Sequence, residues 1–375
     1  VKIVLLSPRF PWPAFTGDRL RATIWLSALE HEASVTLVSP AGRVPANAPR
    51  FRFHPAAPSL RRGVAGALRV LGGAPVQSLL TAPYGWGDAI ERARDDAGGF
   101  DAAIVLLSRL DPWVRPFLPD GLRVLDAIDS LRRSMEERSR QTAPPMRWFW
   151  RAESRRVARA EAEAARFYDR VVVVSAEESE ELGATAIPNG VAIAPLDEAA
   201  RPFDFAFWGR LAYFANADAA DWLLDEIWPA IRARRPQATL LLGGADAPAR
   251  FRAAHGRNGI IVQSPVHDVA AMARQVRVAL FPVRYGTGQS NKVLEAAEAG
   301  CAIVGTAQAM RGLEPLTRYA SVAGDAAGLA RSAIAAIADG GAAGRALRGV
   351  VEDRYRRQET LDRLAAIVHG REAAA

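Results

Sequence analysis

The sequence predicts an α/β protein built as two Rossmann-like domains facing across a cleft, and three observations carry that prediction. Short apolar runs of strand length alternate with helix-length stretches from end to end, as in mainly parallel sheets. In the second half the β-α-β order recurs on short loops, the pattern of a doubly wound sheet. The length, 375 residues of which 50% are hydrophobic, suits two domains of ~100 to 200 residues each.

Strands are expected first at Lys2–Leu6, Val35–Ser39, Ala103–Leu107, Arg123–Ala127 and Val171–Val174. The last runs into Ser175, with Glu178 at the spacing of a capping box that opens the next helix. Ile187-Pro188-Asn189-Gly190 is a turn signal, and the Ala/Pro stretch that follows it to Pro202 marks a domain boundary. The chain is thereby divided into residues 1–196 and 197–375, with the final helix able to pack back on the first domain. The second half restarts with Phe203–Trp208 and a helix from about Asp218 to Arg234. Strands then follow at Thr239–Gly243, Ile260–Gln263, Val278–Val283 and Ala302–Gly305.

A formal charge of +7 and a pI near 10.1 point to anionic partners: nucleotides, lipid head groups or nucleic acid. The absence of an RNP-like motif, a Cys/His finger and a heptad array argues against nucleic acid. The single cysteine, Cys301, excludes an intramolecular disulfide and a cysteine-built metal site. His31, His54, His255, His267 and His369 have neither metal-ligand spacing nor triad partners, so no metal is expected. The numbering opens at Val1, ahead of which a residue or two is expected to be missing. With no secretory leader in view and no apolar run near the ~20 residues of a membrane span, a cytoplasmic location is expected.

The richest stretch is Phe281 to Gly300, FPVRYGTGQSNKVLEAAEAG, where an apolar strand meets a glycine loop and then a helix. Gly286 and Gly288 allow tight turns and close approach, and the backbone N–H groups of Gly288, Gln289, Ser290 and Asn291 can form an anion site. Lys292 adds a positive charge there; apart from Lys2 it is the only lysine in an arginine-rich chain. Glu295, one turn on, can accept hydrogen bonds from sugar or ribose hydroxyls. Arg210, directly after the Phe203 strand, can make a bidentate contact to a diphosphate as its charge develops. Val266, just before His267-Asp268, places backbone groups where a nucleobase could touch them.

In the first half, the loop Ser7 to Arg19 leaves the opening strand, with Gly17 permitting close approach of a ligand and Arg19 or Arg21 able to meet a phosphate. Asp126 and Asp129 end the Arg123 strand; either can hold an acceptor hydroxyl or take its proton, while Asp129 or Ser130 could equally cap the following helix. Residues 60–71 put Leu60, Val64, Leu68 and Leu71 on one helical stripe beside Arg61, Arg62 and Arg69. Residues 146–156 interleave arginines with Trp148, Phe149 and Trp150, and both segments suit an anionic membrane surface as well as ordinary packing on a sheet.

On these residues the chain resembles a GT-B glycosyltransferase, and most closely the family 4-like enzymes of bacterial exopolysaccharide assembly. The resemblance is carried by FWGRLAYFANADAADWLLDEIWPAIRARRPQATLLLGG, SPVHDVAAMARQVRVALFPV and GTGQSNKVLEAAEAGCAIVGT, with SPRFPWPAFTGDRLRA resembling the subgroup's first loop. It implies a nucleoside diphosphate sugar donor held by residues 197–375, a glycan or lipid-linked glycan acceptor held by residues 1–196, and retention of configuration. It implies neither cofactor nor metal, and a cytoplasmic enzyme peripheral on the inner face of the membrane. Glu295 would bind the donor ribose; Arg210, Lys292 and the amides near Gly288 would neutralise the leaving diphosphate. The pattern is departed from at Thr287, where the family carries a second glutamate, and at Ala215, where it carries a lysine that Lys292 is placed to replace. A histidine expected near Ile128 is missing, and Glu298 stands where a small apolar residue is usual. These departures keep two other readings open: a catalytically silent nucleotide-binding scaffold subunit of the same fold, and a nucleotide-sugar epimerase.

Overall fold

The computed structural model describes residues 1–196, 201–286 and 288–370. The chain divides into two compact units, one of Val1–Asn189 with the stretch from Thr360 onward, the other Gly190–Glu359.

The first unit is a seven-stranded sheet of order β3-β2-β1-β4-β5-β6-β7. Its strands are β1 (Lys2–Leu6), β2 (Ser34–Ser39), β3 (Arg52–Pro55), β4 (Ala102–Leu106), β5 (Leu122–Ile128), β6 (Arg170–Val173) and β7 (Thr185–Ala186), paired in parallel throughout. Because helices cover both faces, successive side chains of β1 enter different cores: Ile3 and Leu5 join Trp25, Leu37 and Ile104, while Val4 and Leu6 join Trp86, Ile90 and Val105. That is why the strands read as unbroken apolar runs. Leu364 and Val368 of the helix Arg357–His369 lie in the first of these cores, so the unit takes back the end of the chain.

The second unit repeats the plan in a six-stranded sheet of order β10-β9-β8-β11-β12-β13. Its strands are β8 (Phe203–Arg210), β9 (Leu240–Ala245), β10 (Ile260–Gln263), β11 (Val276–Phe281), β12 (Ala302–Gly305) and β13 (Ser321–Val322), again all parallel. In both sheets the strand order reverses beside the first strand, and ligands of open α/β sheets bind outside the carboxyl ends at that point.

Several expectations need correction. The division falls at Asn189/Gly190 rather than 196/197, because Val191 already bridges to Arg356 within the second unit; residues 197–200 of the expected linker lie outside the described residues. The single helix expected over Asp218–Arg234 is Phe214–Trp222 and Trp228–Arg234 joined by a π-turn at Leu223–Ile227. Pro229 explains the turn, since it has no N–H to donate and its ring crowds the carbonyl one turn back. β3, β7 and β13 were too short or too exposed to be legible as apolar runs. Ser175 precedes the helix Ala176–Leu182 but its side chain makes no cap hydrogen bond, so the expected capping box does not form.

Candidate active site

In the second unit the carboxyl end of β8 organises the site. Trp208, buried at that end, donates from Nε1 to Glu295 Oε2 at 3.0 Å. One turn earlier on the helix Asn291–Glu298, Lys292 extends over the ring of Phe207, 5.1 Å from its centroid, and donates to Asn216 Oδ1 at 2.5 Å. Asn216 in turn donates to the Arg210 carbonyl at 3.0 Å. Glu295, Lys292, Asn216 and the Arg210 backbone therefore form one connected set on two helices and a strand end.

Glycines make this possible. A Cβ on Gly209 would sit 2.8 Å from the Asn216 amide nitrogen, and one on Gly244 only 1.7 Å from the Gly209 carbonyl oxygen, so the ends of β8 and β9 pinch together as only glycine permits. The glycine loop itself turns through φ +132° at Gly286 and +77° at Gly288. Its Gly286 carbonyl accepts from Gln308 Nε2 and, at 3.4 Å, from Arg311 Nη1, and Gln289 Nε2 donates to the Gly312 carbonyl at 3.4 Å. Beyond β12, Gln308 and Arg311 also line a hollow of about 370 Å³ together with Met310, Glu314 and Thr317. Ser290 precedes the Lys292 helix without a side-chain cap. Thr287 lies outside the described residues.

The electrostatics are those of half-buried charges. Burial pushes the Lys292 ammonium down to about 8, with Glu295 pulling the other way. Burial likewise pushes the Glu295 carboxyl up, opposed by the Trp208 hydrogen bond and the charges of Lys292 and Arg357. The Arg210 guanidinium is partly exposed and pairs with Asp246 at 2.7 Å, beside the Lys292 set rather than within it. Val266 is buried under β9, with its N–H given to the Gly244 carbonyl at 3.2 Å; Asp268 caps the helix Val269–Ala273 by accepting from Ala271 N at 2.9 Å.

Glu298, expected as a misfit, is buried yet well supplied with donors: Arg274 Nη2 at 3.0 Å, the Ala194 N–H at 3.0 Å, and Arg348 Nη1 at 3.5 Å. It is a strut of the second unit. Asn216 was missed by sequence reading, where nothing distinguishes it from any polar residue in the first turn of a helix.

In the first unit Asp126 must be corrected. It is fully buried and accepts from Arg21 Nε at 2.6 Å, Trp25 Nε1 at 2.7 Å and the Ile128 N–H at 3.0 Å, so its charge is committed inside the fold. Arg21, fully buried and bound also to Asn189 Oδ1 at 3.2 Å, is equally withdrawn from any phosphate. Asp129 differs: Ser130, not Asp129, caps the helix Leu131–Gln141, and Asp129 Oδ1 is buried without a hydrogen-bond partner. Gly17 is exposed at the start of the helix Gly17–Leu29, with open space where a Cβ would stand.

The apolar stripe of the helix Leu60–Leu71 faces outward, Leu60 being 92% exposed, Leu71 83%, and Val64 and Leu68 64% each. Trp148, 65% exposed, and Met146 and Phe149 do the same at the start of the helix Met146–Phe167. The short turn after the first helix joins the second: Gln77 N donates to Glu153 Oε1 at 3.3 Å. Among the described residues no helix is long and apolar enough to cross a membrane.

Residues 202–339 match the family described as glycosyl transferases group 1. No curated protein matches the chain. Among solved structures it is similar to sucrose-phosphate synthase from Thermosynechococcus elongatus, at 14% identity and a TM-score of 0.73 over 98% of each chain. It is also similar to Anabaena HepE in complex with UDP-glucose, at 14% identity and a TM-score of 0.68 over 98% of this chain and 99% of that one. WaaG, a glycosyltransferase involved in lipopolysaccharide biosynthesis, gives 14% identity and a TM-score of 0.65 over 99% and 100%. At such identities the likeness establishes the fold, two parallel-sheet Rossmann-like α/β domains of the GT-B kind. The chain thus carries a glycosyl transferases group 1 domain at residues 202–339, set within that fold.

Proposed function

We propose that the chain moves a sugar from a nucleoside diphosphate sugar to a glycan or lipid-linked glycan, with retention and without a metal, in exopolysaccharide assembly of the family 4 type. The observation that carries the donor half is the set joining Trp208, Glu295, Lys292 and Asn216 at the carboxyl end of β8. Glu295, oriented by the indole N–H, is suited to accept from ribose hydroxyls. Lys292, desolvated and depressed, gains most from a diphosphate, because an anion restores the charge that burial penalises. Its place against the helix that begins at Phe214 is next to Ala215, which supports the substitution of Lys292 for the family's lysine. As the bond from the sugar's anomeric carbon to the phosphate oxygen breaks, the electron pair leaves on the diphosphate, the acceptor's hydroxyl oxygen bonds to that carbon, and the hydroxyl proton passes to the diphosphate. Lys292, with Arg210 turning from its exposed pair with Asp246, stabilises that charge.

The outward stripes of the helices Leu60–Leu71 and Met146–Phe167, flanked by arginines, support a lipid-linked acceptor met at an anionic membrane surface. HepE, which has been seen with UDP-glucose, makes uridine the first base to try.

The test is the thermal shift of the full chain with UDP, GDP, ADP, TDP and CMP, with and without magnesium. A ligand of the native state raises the melting temperature by mass action. One diphosphate should do so without magnesium, and Glu295→Ala and Lys292→Ala should abolish the shift while remaining folded. A protein that shifts with none of them is a scaffold without a donor site, and one that releases sugar with no acceptor present is an epimerase or hydrolase.

A further inference from the structure

Two loops leave neighbouring strands of the second sheet side by side, because β11 and β12 pair in parallel with Phe281 level with Gly305. They differ in what shapes them. The loop after β12 shapes itself: the Ala309 N–H bonds the Thr306 carbonyl at 3.1 Å and its hydroxyl at 3.2 Å, and the Leu313 N–H bonds the Met310 carbonyl at 3.0 Å. Ala309, Met310 and Leu313 are buried in the core of the unit, which anchors those turns. The glycine loop after β11 has no such frame. Arg284, Tyr285 and Gly286 make no backbone–backbone hydrogen bond to any described residue. Gly286 and Gly288, both at positive φ, belong to the residue type with the most conformational freedom to lose on being fixed.

The glycine loop takes its shape from side chains on both flanks. From the loop after β12, Thr306 Oγ1 donates to the Val283 carbonyl, Gln308 Nε2 to the Gly286 carbonyl, and Arg311 Nη1 to the same carbonyl at 3.4 Å. On the other flank Arg284 pairs with Asp218 through Nε at 2.9 Å and Nη2 at 2.6 Å. Asp218 lies on the helix Phe214–Trp222, which also carries Asn216, the acceptor of the Lys292 ammonium. The loop and the lysine are thus referred to one helix. Carbonyls committed to Thr306 and Gln308 are also kept from a bound anion, which a free carbonyl oxygen would repel.

We propose that Gln308, with Thr306 on the same loop, is a positioning residue for the donor: it holds the Gly286 carbonyl so that the N–H groups from Gly288 to Asn291 are in place for a nucleoside diphosphate before it arrives. This rests on the reading of the glycine loop as the donor's diphosphate site. Backbone N–H groups bind an anion well only when their geometry is already set, since ordering a glycine loop on binding subtracts from affinity. Gln308 is half-buried and reaches the loop from outside the apolar core, so its amide can be replaced without opening that core.

The test uses the full chain as wild type and Gln308→Met, which keeps the length of the side chain and loses its N–H. Hydrogen exchange is measured without nucleotide, and binding of UDP, GDP, ADP and TDP is measured by calorimetry beside that of each monophosphate. Gln308→Met should speed exchange at Gly288 to Asn291, weaken the diphosphate that binds wild type by about tenfold, the loss expected for one positioned hydrogen bond, and shrink the preference for diphosphate over monophosphate. Gln308→Glu, whose ionised carboxylate cannot donate to the Gly286 carbonyl, is the second variant and should act in the same direction. A merely structural Gln308 would lower the melting temperature and leave the diphosphate affinity and that preference as in wild type; this result, or unchanged exchange at Gly288 to Asn291, overturns the proposal. A wild type that binds none of the four diphosphates instead removes the donor reading, and the positioning role with it.

Discussion

Replacing Lys292 with methionine should stabilise the protein while removing its hold on the donor. The ammonium lies against Phe207 and is pushed by burial from 10.5 to about 8, a depression worth roughly 3 kcal/mol of native-state cost below pH 8. Methionine fills similar space without a charge to desolvate. Loss of the hydrogen bond to Asn216 Oδ1 takes back about 1 kcal/mol, leaving a net gain of about 2 kcal/mol. For units of this size that raises the melting temperature by about 4 to 8 °C. The pH dependence gives a sharper check. Between about 8 and 10.5 the unfolded chain keeps a proton on Lys292 that the folded chain has lost, so wild-type stability recovers as pH rises through that window and the advantage of the variant fades. Cys301 and Tyr355, both pushed up to about 12 mainly by burial, erode stability at high pH in both proteins and cancel in the difference. The assay is chemical denaturation of wild type and Lys292→Met at pH 7 and pH 10, with nucleotide titration alongside. A variant less stable than wild type at pH 7, or one whose difference does not change with pH, would refute the desolvation argument; unchanged nucleotide affinity would refute the site.

Asp126→Ala strands the buried Arg21 guanidinium and the Trp25 indole N–H, which should cost about 3 to 5 kcal/mol of the first unit's stability; wild-type stability with lost activity would instead return Asp126 to the chemistry. Leu68→Asp with Trp148→Asp should abolish co-sedimentation with phosphatidylglycerol vesicles and leave the nucleotide thermal shift unchanged, since both side chains already stand in solvent. Equal sedimentation of wild type and variant, or binding of wild type to neutral phosphatidylcholine vesicles alone, would remove the anionic membrane from the reading.

The sheets were legible because burial on both faces turns each strand into an apolar run, as at Ile3–Leu6 and Ala102–Leu106. The ends of those strands were legible too, and with them the positions of Arg210, Lys292, Glu295, Asp126 and Asp129. What one chain of letters could not supply was the partner of each charge. Asp126 read as a substrate group because its guanidinium partner, Arg21, lies on a helix more than a hundred residues earlier. Glu298 read as an intruder because Arg274 and Arg348 reach it from opposite directions along the chain. Asn216 had no signal at all until Lys292, 76 residues on, was seen to donate to it.

In this chain a charged residue at a strand end has two fates, and the difference between them is the difference between architecture and chemistry. Asp126 and Glu298 are buried and fully met by donors, so their charges are spent inside the fold. Lys292, Glu295 and Asp129, half-buried, and Glu178, buried, are only partly met, and each is displaced from its ordinary protonation behaviour in the direction burial dictates. The under-supplied charges of Lys292, Glu295 and Asp129 all stand close behind the carboxyl ends of strands, where ligands of open α/β sheets bind.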